Sequence, residues 1–132
     1  MSGIIWCDLP VIQLERAIAF YEAVLGCTIV QTGWSGRIGV MRPQYSSGPN
    51  VQQPLIGCAF FEITDDERTS LKMESPMPLL YFGCEGRLDH AVELVTKYRG
   101  EVITPPAIIA PFGRRAIVRD SEGNRIGLSS QS

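Results

Sequence analysis

Glu62 is a residue whose type and surroundings could support acid–base chemistry. It lies in the run GCAFFEI, and alternation along a strand places it on one face with Cys58 and Phe60. Burial among such neighbours without a cation would raise the pKa of Glu62, which suits a general base or an acceptor for a ligand amine. Pairing with an arginine such as Arg37 or Arg125 would make the carboxylate structural instead. Both interpretations stay open.

The cysteines and the histidine are weaker sources of chemistry. The chain has four cysteines, with no C-x-x-C pair, and one histidine. No histidine lies near Cys7 or Cys58 in the predicted elements to generate a thiolate, so reduced thiols that pack as small hydrophobic side chains are predicted. His90 falls near the start of a predicted helix and away from its apolar stripe, which favours a solvated histidine.

Composition excludes several classes of partner. The 132 residues suffice for one compact domain, and the formal net charge is −2. Arg114 and Arg115 are the one adjacent pair of cations, too few for a nucleic-acid-binding patch. No apolar run approaches the ~18 residues that cross a bilayer, and no signal-like segment is present. A soluble, cytoplasmic protein without a nucleic-acid or membrane partner is expected.

Two predicted helices form an internal repeat. Leu14 to Gly26 (LERAIAFYEAVLG) and Leu88 to Gly100 (LDHAVELVTKYRG) match at a constant offset, with apolar residues at three- and four-residue steps. Each ends on a glycine, which we predict to adopt a positive φ and end the helix.

Short β-type runs surround both helices, so that each half has the order β-α-β-β-β. The predicted strands are Ile4 to Leu9, Cys27 to Thr32, Arg37 to Met41, Gly57 to Ile63, Leu79 to Cys84, Glu101 to Thr104, Arg115 to Arg119 and Arg125 to Leu128. Module one covers about residues 1–64, a polar linker about 65–76, and module two about 77–132. The irregular loop from Arg42 to Pro54 is either a variable surface excursion or a lid.

The residue pattern within these elements predicts which side chains share a face of a strand and where the chain turns. In the first strand, which Pro10 is predicted to end, Trp6 and Asp8 face whatever the sheet encloses. The opposite, all-apolar face should lie under the helix. In the segment DSEGN, the spacing of Asp120 and Asn124 predicts a turn in which the side chains bond neighbouring backbone groups.

Three segments resemble the vicinal oxygen chelate superfamily, which includes glyoxalase I, bleomycin- and fosfomycin-resistance proteins, methylmalonyl-CoA epimerase and extradiol dioxygenases. They are LPVIQLERAIAFYEAVLG, VTKYRGEVITPP and RDSEGNRIGL. The resemblance implies an α+β fold in which two tandem βαβββ modules form a curved, partly open mixed β-sheet barrel around a cleft.

In metal-dependent members of that superfamily, four His or Glu side chains from the first and last strands of the modules chelate a divalent ion, which polarises the substrate. The resemblance places these positions at Trp6, Glu62, Leu79 or Leu80, and Gly127. Glu62 alone is a possible ligand, and one carboxylate cannot hold a divalent ion in a defined geometry. No metal or other cofactor is therefore expected.

The implied cleft suits a flat or apolar small molecule. Its expected ligand-binding residues are Trp6, Asp8, Phe60, Glu62, Leu80 and Phe82. The leading hypothesis is a metal-independent protein that sequesters an apolar or aromatic ligand, with Glu62 as a candidate for catalysis if any reaction occurs.

Two alternatives to that hypothesis stay open, and we also expect the protein to form an oligomer. The first alternative is a glyoxalase-like, metal-dependent lyase, isomerase or dioxygenase that uses Glu62 with unrecognised ligands or with ligands from a partner chain. The second is a structural dimer without a pocket. A homodimer is expected in any case, because the sheet edges are exposed and relatives commonly form dimers.

Overall fold

A computed structural model of the protein describes residues 6–32, 36–41, 57–70, 78–109 and 113–131. The predicted lid, Arg42 to Pro54, lies outside the described residues. The elements in chain order are β1 (Trp6–Val11), α1 (Leu14–Leu25), β2 (Ile29–Thr32), β3 (Ile38–Met41), β4 (Gly57–Glu62), α2 (Asp65–Ser70), β5 (Leu80–Gly83), α3 (Leu88–Lys97), β6 (Glu101–Ile108), β7 (Arg114–Arg119) and β8 (Arg125–Ser130).

The two modules have the same strand order. Module one forms an open four-stranded sheet with the order β1-β4-β3-β2, and module two forms one with the order β5-β8-β7-β6. In each sheet the first strand pairs in parallel with the last, and the other pairs are antiparallel. The predicted α+β fold with two tandem βαβββ modules is confirmed.

The helices cover one face of each sheet and join the modules. Helix α1 contacts the sheet of module one, α3 contacts that of module two, and the two helices contact each other. A single cluster of buried side chains draws on both modules. At its centre the Tyr21 ring lies 4.5 Å from that of Phe60 and 5.6 Å from that of Phe82, measured between ring centroids. No helix among the described residues is long and apolar enough to cross a membrane.

Prolines do not end strands where the sequence predicted. Strand β1 continues through Pro10 to Val11, and β6 continues through Pro105 and Pro106 with two irregularities in its pairing. Both strands lie at an edge of their sheet, where a missing backbone N–H costs no ladder hydrogen bond on the open side.

The predicted polar linker begins with a helix, α2, that the sequence pattern did not predict. The hydroxyl of Thr64 accepts a hydrogen bond from the backbone N–H of Glu67 at 3.1 Å, and the Glu67 carboxylate accepts one from the Thr64 N–H at 3.3 Å. These reciprocal bonds are a capping box, which starts α2 in an otherwise polar segment.

The two repeated helices end differently. Gly26 has the predicted positive φ, +66°. After α3, Arg99 takes the left-handed conformation, with φ 73°. The prediction that Gly100 has a positive φ and ends this helix is therefore wrong. Gly100 instead permits close packing, because an added Cβ would lie 2.6 Å from the carbonyl oxygen of Arg119 and 2.7 Å from the Phe20 ring.

Helix α1 begins without a local cap. Gln13 is its N-cap residue, and its side chain forms no capping hydrogen bond. The fully buried carboxylate of Glu122, from the β7–β8 turn, accepts hydrogen bonds from the N–H groups of Ile12 at 2.9 Å and Gln13 at 2.6 Å. Its other oxygen accepts one from Arg16 Nε at 2.7 Å. Module two therefore caps the first helix of module one.

The same turn anchors the core. Asp120 accepts hydrogen bonds from the backbone N–H groups of Glu122 and Asn124, both at 2.8 Å, as the predicted turn requires. It also accepts one from the Tyr21 hydroxyl at 2.5 Å, and the Asn124 amide donates to the Pro10 carbonyl at 2.8 Å. Burial raises the pKa of Asp120 by more than these hydrogen bonds lower it.

Glu122→Gln should destabilise the protein at neutral pH by about 2 kcal/mol, because an amide cannot accept all these donors. Burial raises the pKa of Glu122, but hydrogen bonds from Arg16, Gln13 and Ser121 outweigh it and leave the pKa below its ordinary value. A lowered pKa adds stability above the unfolded-state pKa, near ~4.3, that is lost as the pH falls through the folded-state value. Urea unfolding should show the difference at pH 7 and its decline below about pH 4.

Glu101→Gln is the matched control, since the Glu101 side chain is 71% exposed. It should change stability by less than about 0.5 kcal/mol. Equal stability of Glu122→Gln and the parent protein at pH 7 would contradict the capping role.

Gly100→Ala should cost about 2 kcal/mol, because the added methyl group meets backbone and core atoms that cannot move independently. Gly83→Ala is the control, since its Cβ would meet nothing within 4 Å. Thermal unfolding of the two variants should separate them. Similar melting temperatures would show that the contact at Gly100 relaxes freely.

Candidate functional site

The open face of the first sheet carries an aromatic ring lying across a glycine. Trp6 is 48% exposed and pairs in register with Gly57 on the adjacent parallel strand. A Cβ at Gly57 would overlap the Trp6 ring, so the ring occupies the space above the glycine. The indole Nε1 donates a hydrogen bond to Asp8 at 2.8 Å, which orients the ring on this face.

The second sheet repeats this arrangement with different residues. Tyr81 is 37% exposed and pairs in register with Gly127, where a Cβ would overlap the Tyr81 ring. The guanidinium carbon of Arg115 lies 4.4 Å from the centroid of that ring, a cation–π contact. The arrangement of an aromatic ring lying over a glycine is therefore a structural repeat. The residues at these positions do not match at the constant sequence offset that relates the two helices.

The structure brings together two of the six predicted ligand-binding residues and separates the others from them. Trp6 and Asp8 share the open face of β1, as predicted. Phe60 is fully buried in the core and pairs in register with Leu9, so its predicted position on the cleft wall is wrong. Phe82 also packs against the core. Leu80 lies two residues before Phe82 in β5, so the two side chains are on the same face of the sheet and Tyr81 is on the other face.

The Glu62 carboxylate contacts groups of the protein that give it a structural role. One oxygen accepts a hydrogen bond from the backbone N–H of Leu14 at 3.0 Å, in the first turn of α1. The other lies 3.8 Å from Nε of Arg37, which also donates to the Glu62 carbonyl at 3.3 Å. Of the two interpretations left open by the sequence, pairing with Arg37 is the one observed. Glu62 pairs in register with Val11, away from Trp6.

The register also identifies which residues face one another at the positions implied by the resemblance. Trp6 faces Gly57, not Glu62, and Gly127 faces Tyr81, not Leu79 or Leu80. Two rings and two glycines do not fit a divalent ion, whose ligands are carboxylate, imidazole or thiolate groups. Among the described residues, no group of three or more His, Cys, Asp or Glu side chains is arranged to hold a metal ion.

Comparison with known proteins identifies the family. The model of the Glyoxalase/Bleomycin resistance protein/Dioxygenase superfamily matches residues 3–128. The chain belongs to this superfamily. The comparison with curated proteins gives no match.

Solved structures share the fold at low sequence identity. A glyoxalase/bleomycin resistance protein/dioxygenase family enzyme from Burkholderia phytofirmans PsJN is 16% identical, with a TM-score of 0.69, over 99% of this chain and 100% of that one. A mutant fosfomycin resistance protein from Listeria monocytogenes, complexed with Mn(II) and 1S,2S-dihydroxypropylphosphonic acid, is 15% identical, with a TM-score of 0.64, over 98% and 90%. An antibiotic binding protein from Streptomyces sp. CB03234 is 22% identical, with a TM-score of 0.59, over 100% and 98%.

Tyr81 and Gly57 are the site residues that sequence reasoning missed. Gly127 was recognised as a last-strand position, but its partner could not be chosen among consecutive apolar residues in LLYF. Knowledge of the parallel register would have pointed to Tyr81, because paired residues share a face.

The cysteines do not form part of a reactive site. Burial raises the pKa of Cys58 to about 12 and those of Cys27 and Cys84 to about 11. Burial also raises the pKa of Cys7, which pairs in register with Cys58. His90 is exposed on α3, as predicted.

We therefore expect slow reaction of the folded protein with a disulfide reagent at pH 7.5, and a rate that rises about tenfold per pH unit toward pH 10 as thiolate forms. The same reagent should react fast in guanidinium chloride, where the thiols are solvated. Rapid reaction of one thiol in the folded state near neutral pH would identify a nucleophile instead.

Proposed function

We propose that this superfamily member is a metal-independent protein that binds an apolar or aromatic small molecule against its open sheet faces. The observation that supports this most directly is the pair of exposed rings, each lying across a glycine. A flat ligand gains apolar contact with such rings, and ring pairs contribute about 0.5–1.5 kcal/mol beyond the area they bury. Binding a ligand in this way does not require the protein to catalyse a reaction.

The surroundings of Trp6 favour an apolar ligand. Beside Trp6 the open face of the first sheet carries Phe61, paired with Ile38, and Ala59, paired with Val40. Ile38 is 38% exposed whereas Ala59 is buried, so this face is apolar and is accessible near Ile38 and Trp6. Asp8 supplies a hydrogen-bond acceptor, which gives the face one polar point for orienting a ligand.

The alternative of a metal-dependent enzyme using Glu62 has less support. Both carboxylate oxygens of Glu62 already lie near donors, Leu14 N–H and Arg37. A metal ion would have to displace these contacts, and the other positions supply no ligand side chain. The proposal includes a cytoplasmic homodimer, and it leaves catalysis unassigned.

Isothermal titration calorimetry with naphthamide, a neutral aromatic probe, tests the proposal. Trp6→Ala should weaken binding by about fivefold to tenfold, because the main apolar contact is removed. Ile108→Ala is the control: Ile108 is an exposed apolar residue of β6, 78% exposed, and its loss should leave the affinity within about twofold. Sedimentation of the same sample should give the mass of two chains.

Elemental analysis of the purified protein provides the opposing outcome. About one equivalent of Mn, Fe, Ni or Zn per chain, lost in Glu62→Ala, would overturn the metal-free proposal in favour of the enzyme. Absence of naphthamide binding would also overturn it, since the open rings would then have no ligand role.

A further inference from the structure

The open face of the first sheet carries a single kind of charge. The four strands of module one contain two charged side chains, Asp8 and Glu62. Glu62 lies two residues after the fully buried Phe60 and shares its face, toward the helix. Asp8 lies two residues after Trp6 and shares the open face with it. A carboxylate is therefore the one charged group that these strands place on the open face.

The described part of module one offers no cation to balance this carboxylate. Residues 6–32, 36–41 and 57–70 contain three arginines and no lysine or histidine. Arg16 and Arg68 both bind the β7–β8 turn, and Arg37 lies 3.8 Å from the Glu62 carboxylate. All three cations have partners elsewhere, so within these ranges Asp8 has no ion pair.

Asp8 is accessible and keeps acceptor capacity for a ligand. Its side chain is exposed, and its Oδ1 accepts one hydrogen bond, from the indole Nε1 of Trp6 at 2.8 Å. A carboxylate has two oxygens with about four lone-pair sites, so one neutral N–H donor leaves most of them unused. The indole N–H carries no formal charge, and the negative charge of Asp8 therefore remains uncompensated by this bond.

The same hydrogen bond places the charge beside the aromatic surface. An indole N–H lies at the edge of its ring, so the carboxylate is held next to the Trp6 ring, which is itself 48% exposed. An aromatic ligand that contacts this ring can reach Asp8 with a group carried on a short arm. The residue paired with Asp8 on the adjacent strand is Ala59, which has no polar side chain to compete for the carboxylate.

Both groups favour the same sign of charge on a ligand. The negative face of an aromatic ring attracts cations. A carboxylate forms its strongest hydrogen bonds with charged donors such as an ammonium group. An anionic ligand would instead be repelled by Asp8, with no cation on these strands to offset the repulsion.

We propose that the open face around Trp6 and Asp8 prefers a cationic aromatic ligand, with its ammonium group on Asp8 and its aromatic body against Trp6. This inference rests on the proposed small-molecule-binding function and specifies the charge of the ligand. It assigns the ligand cation to module one.

Calorimetric titration with three naphthalene probes of the same ring isomer tests the inference. Naphthylmethylammonium, naphthamide and naphthoate are similar in shape and carry positive, zero and negative charge. The parent protein should bind the ammonium probe about fivefold more tightly than naphthamide, as expected for an exposed charge-assisted contact, and naphthoate least tightly. Raising the salt from about 0.01 M to about 1 M shortens the screening length from about 30 Å to about 3 Å and should reduce the preference for the ammonium probe.

Asp8→Asn should abolish this preference and leave the affinity for naphthamide within about twofold. The asparagine side-chain oxygen can still accept the indole hydrogen bond, so the variant removes the charge while the Trp6 ring keeps its partner. Circular dichroism should show that the variant is folded.

Asp89→Asn is the matched control, because it makes the same change of side chain and of net charge at another place. Asp89 lies in α3 of module two, where it accepts hydrogen bonds from Arg114 at 2.8 and 3.0 Å. The preference for the ammonium probe should remain in this variant. An equal loss in both variants would show that the preference reflects the overall charge of the protein, and would overturn the inference.

The remaining outcomes separate the two proposals. Equal affinities for the ammonium probe and naphthamide in the parent protein would overturn this inference and leave the proposed function intact. Equal weakening of both probes by Asp8→Asn would also overturn it, because Asp8 would then only orient the Trp6 ring. If none of the probes bound, both proposals would be wrong.

Discussion

The first turn of α1 is the point on which the arrangement of the two modules depends. Three consecutive N–H groups, of residues 12–14, have no partner within the helix, and leaving such groups buried and unpaired is costly. They are bound by Glu62 from the end of β4 and by Glu122 from the β7–β8 turn. One helix end thus joins the first module to the second. The Tyr21–Asp120 hydrogen bond, farther along α1, adds a buried connection between the same two elements.

Helices α1 and α3 lie on one side of each sheet, and among the described residues the other side is free of these two helices. Helices α1 and α3 cover the faces that hold Phe60 and Leu128, both fully buried. The opposite faces carry Trp6 and Tyr81, which are partly exposed. The internal repeat is clearest on these open faces, since the same ring-over-glycine arrangement recurs in both sheets with different residues. The two modules therefore share the strand register that places a ring over a glycine, while the residues on their open faces differ in type.

The sequence predicted element order and strand alternation well, but it predicted the buried face only where the two faces differ in polarity. In β1 one face carries Asp8 and the other is apolar, so the assignment was correct. In β4 both faces carry a phenylalanine, Phe60 or Phe61, and the pattern does not say which one enters the core. The role of Glu62 was hidden for another reason, because its partner, the N–H of Leu14, lies 48 positions earlier in the chain.

Each ring and its glycine act as one unit, and this explains why the usual chemistry of the superfamily would be hard to restore stepwise. A carboxylate side chain at Gly127 would start at a Cβ that overlaps the Tyr81 ring, and the same holds for Gly57 beneath Trp6. A ligating side chain on the last strand and a ring on the first strand therefore exclude each other unless the ring moves. A ring without its glycine would lose the backbone surface on which it lies. A ring over a glycine and a pair of metal-ligating side chains are consequently alternative arrangements of the same two positions, and replacing one by the other requires both residues to change.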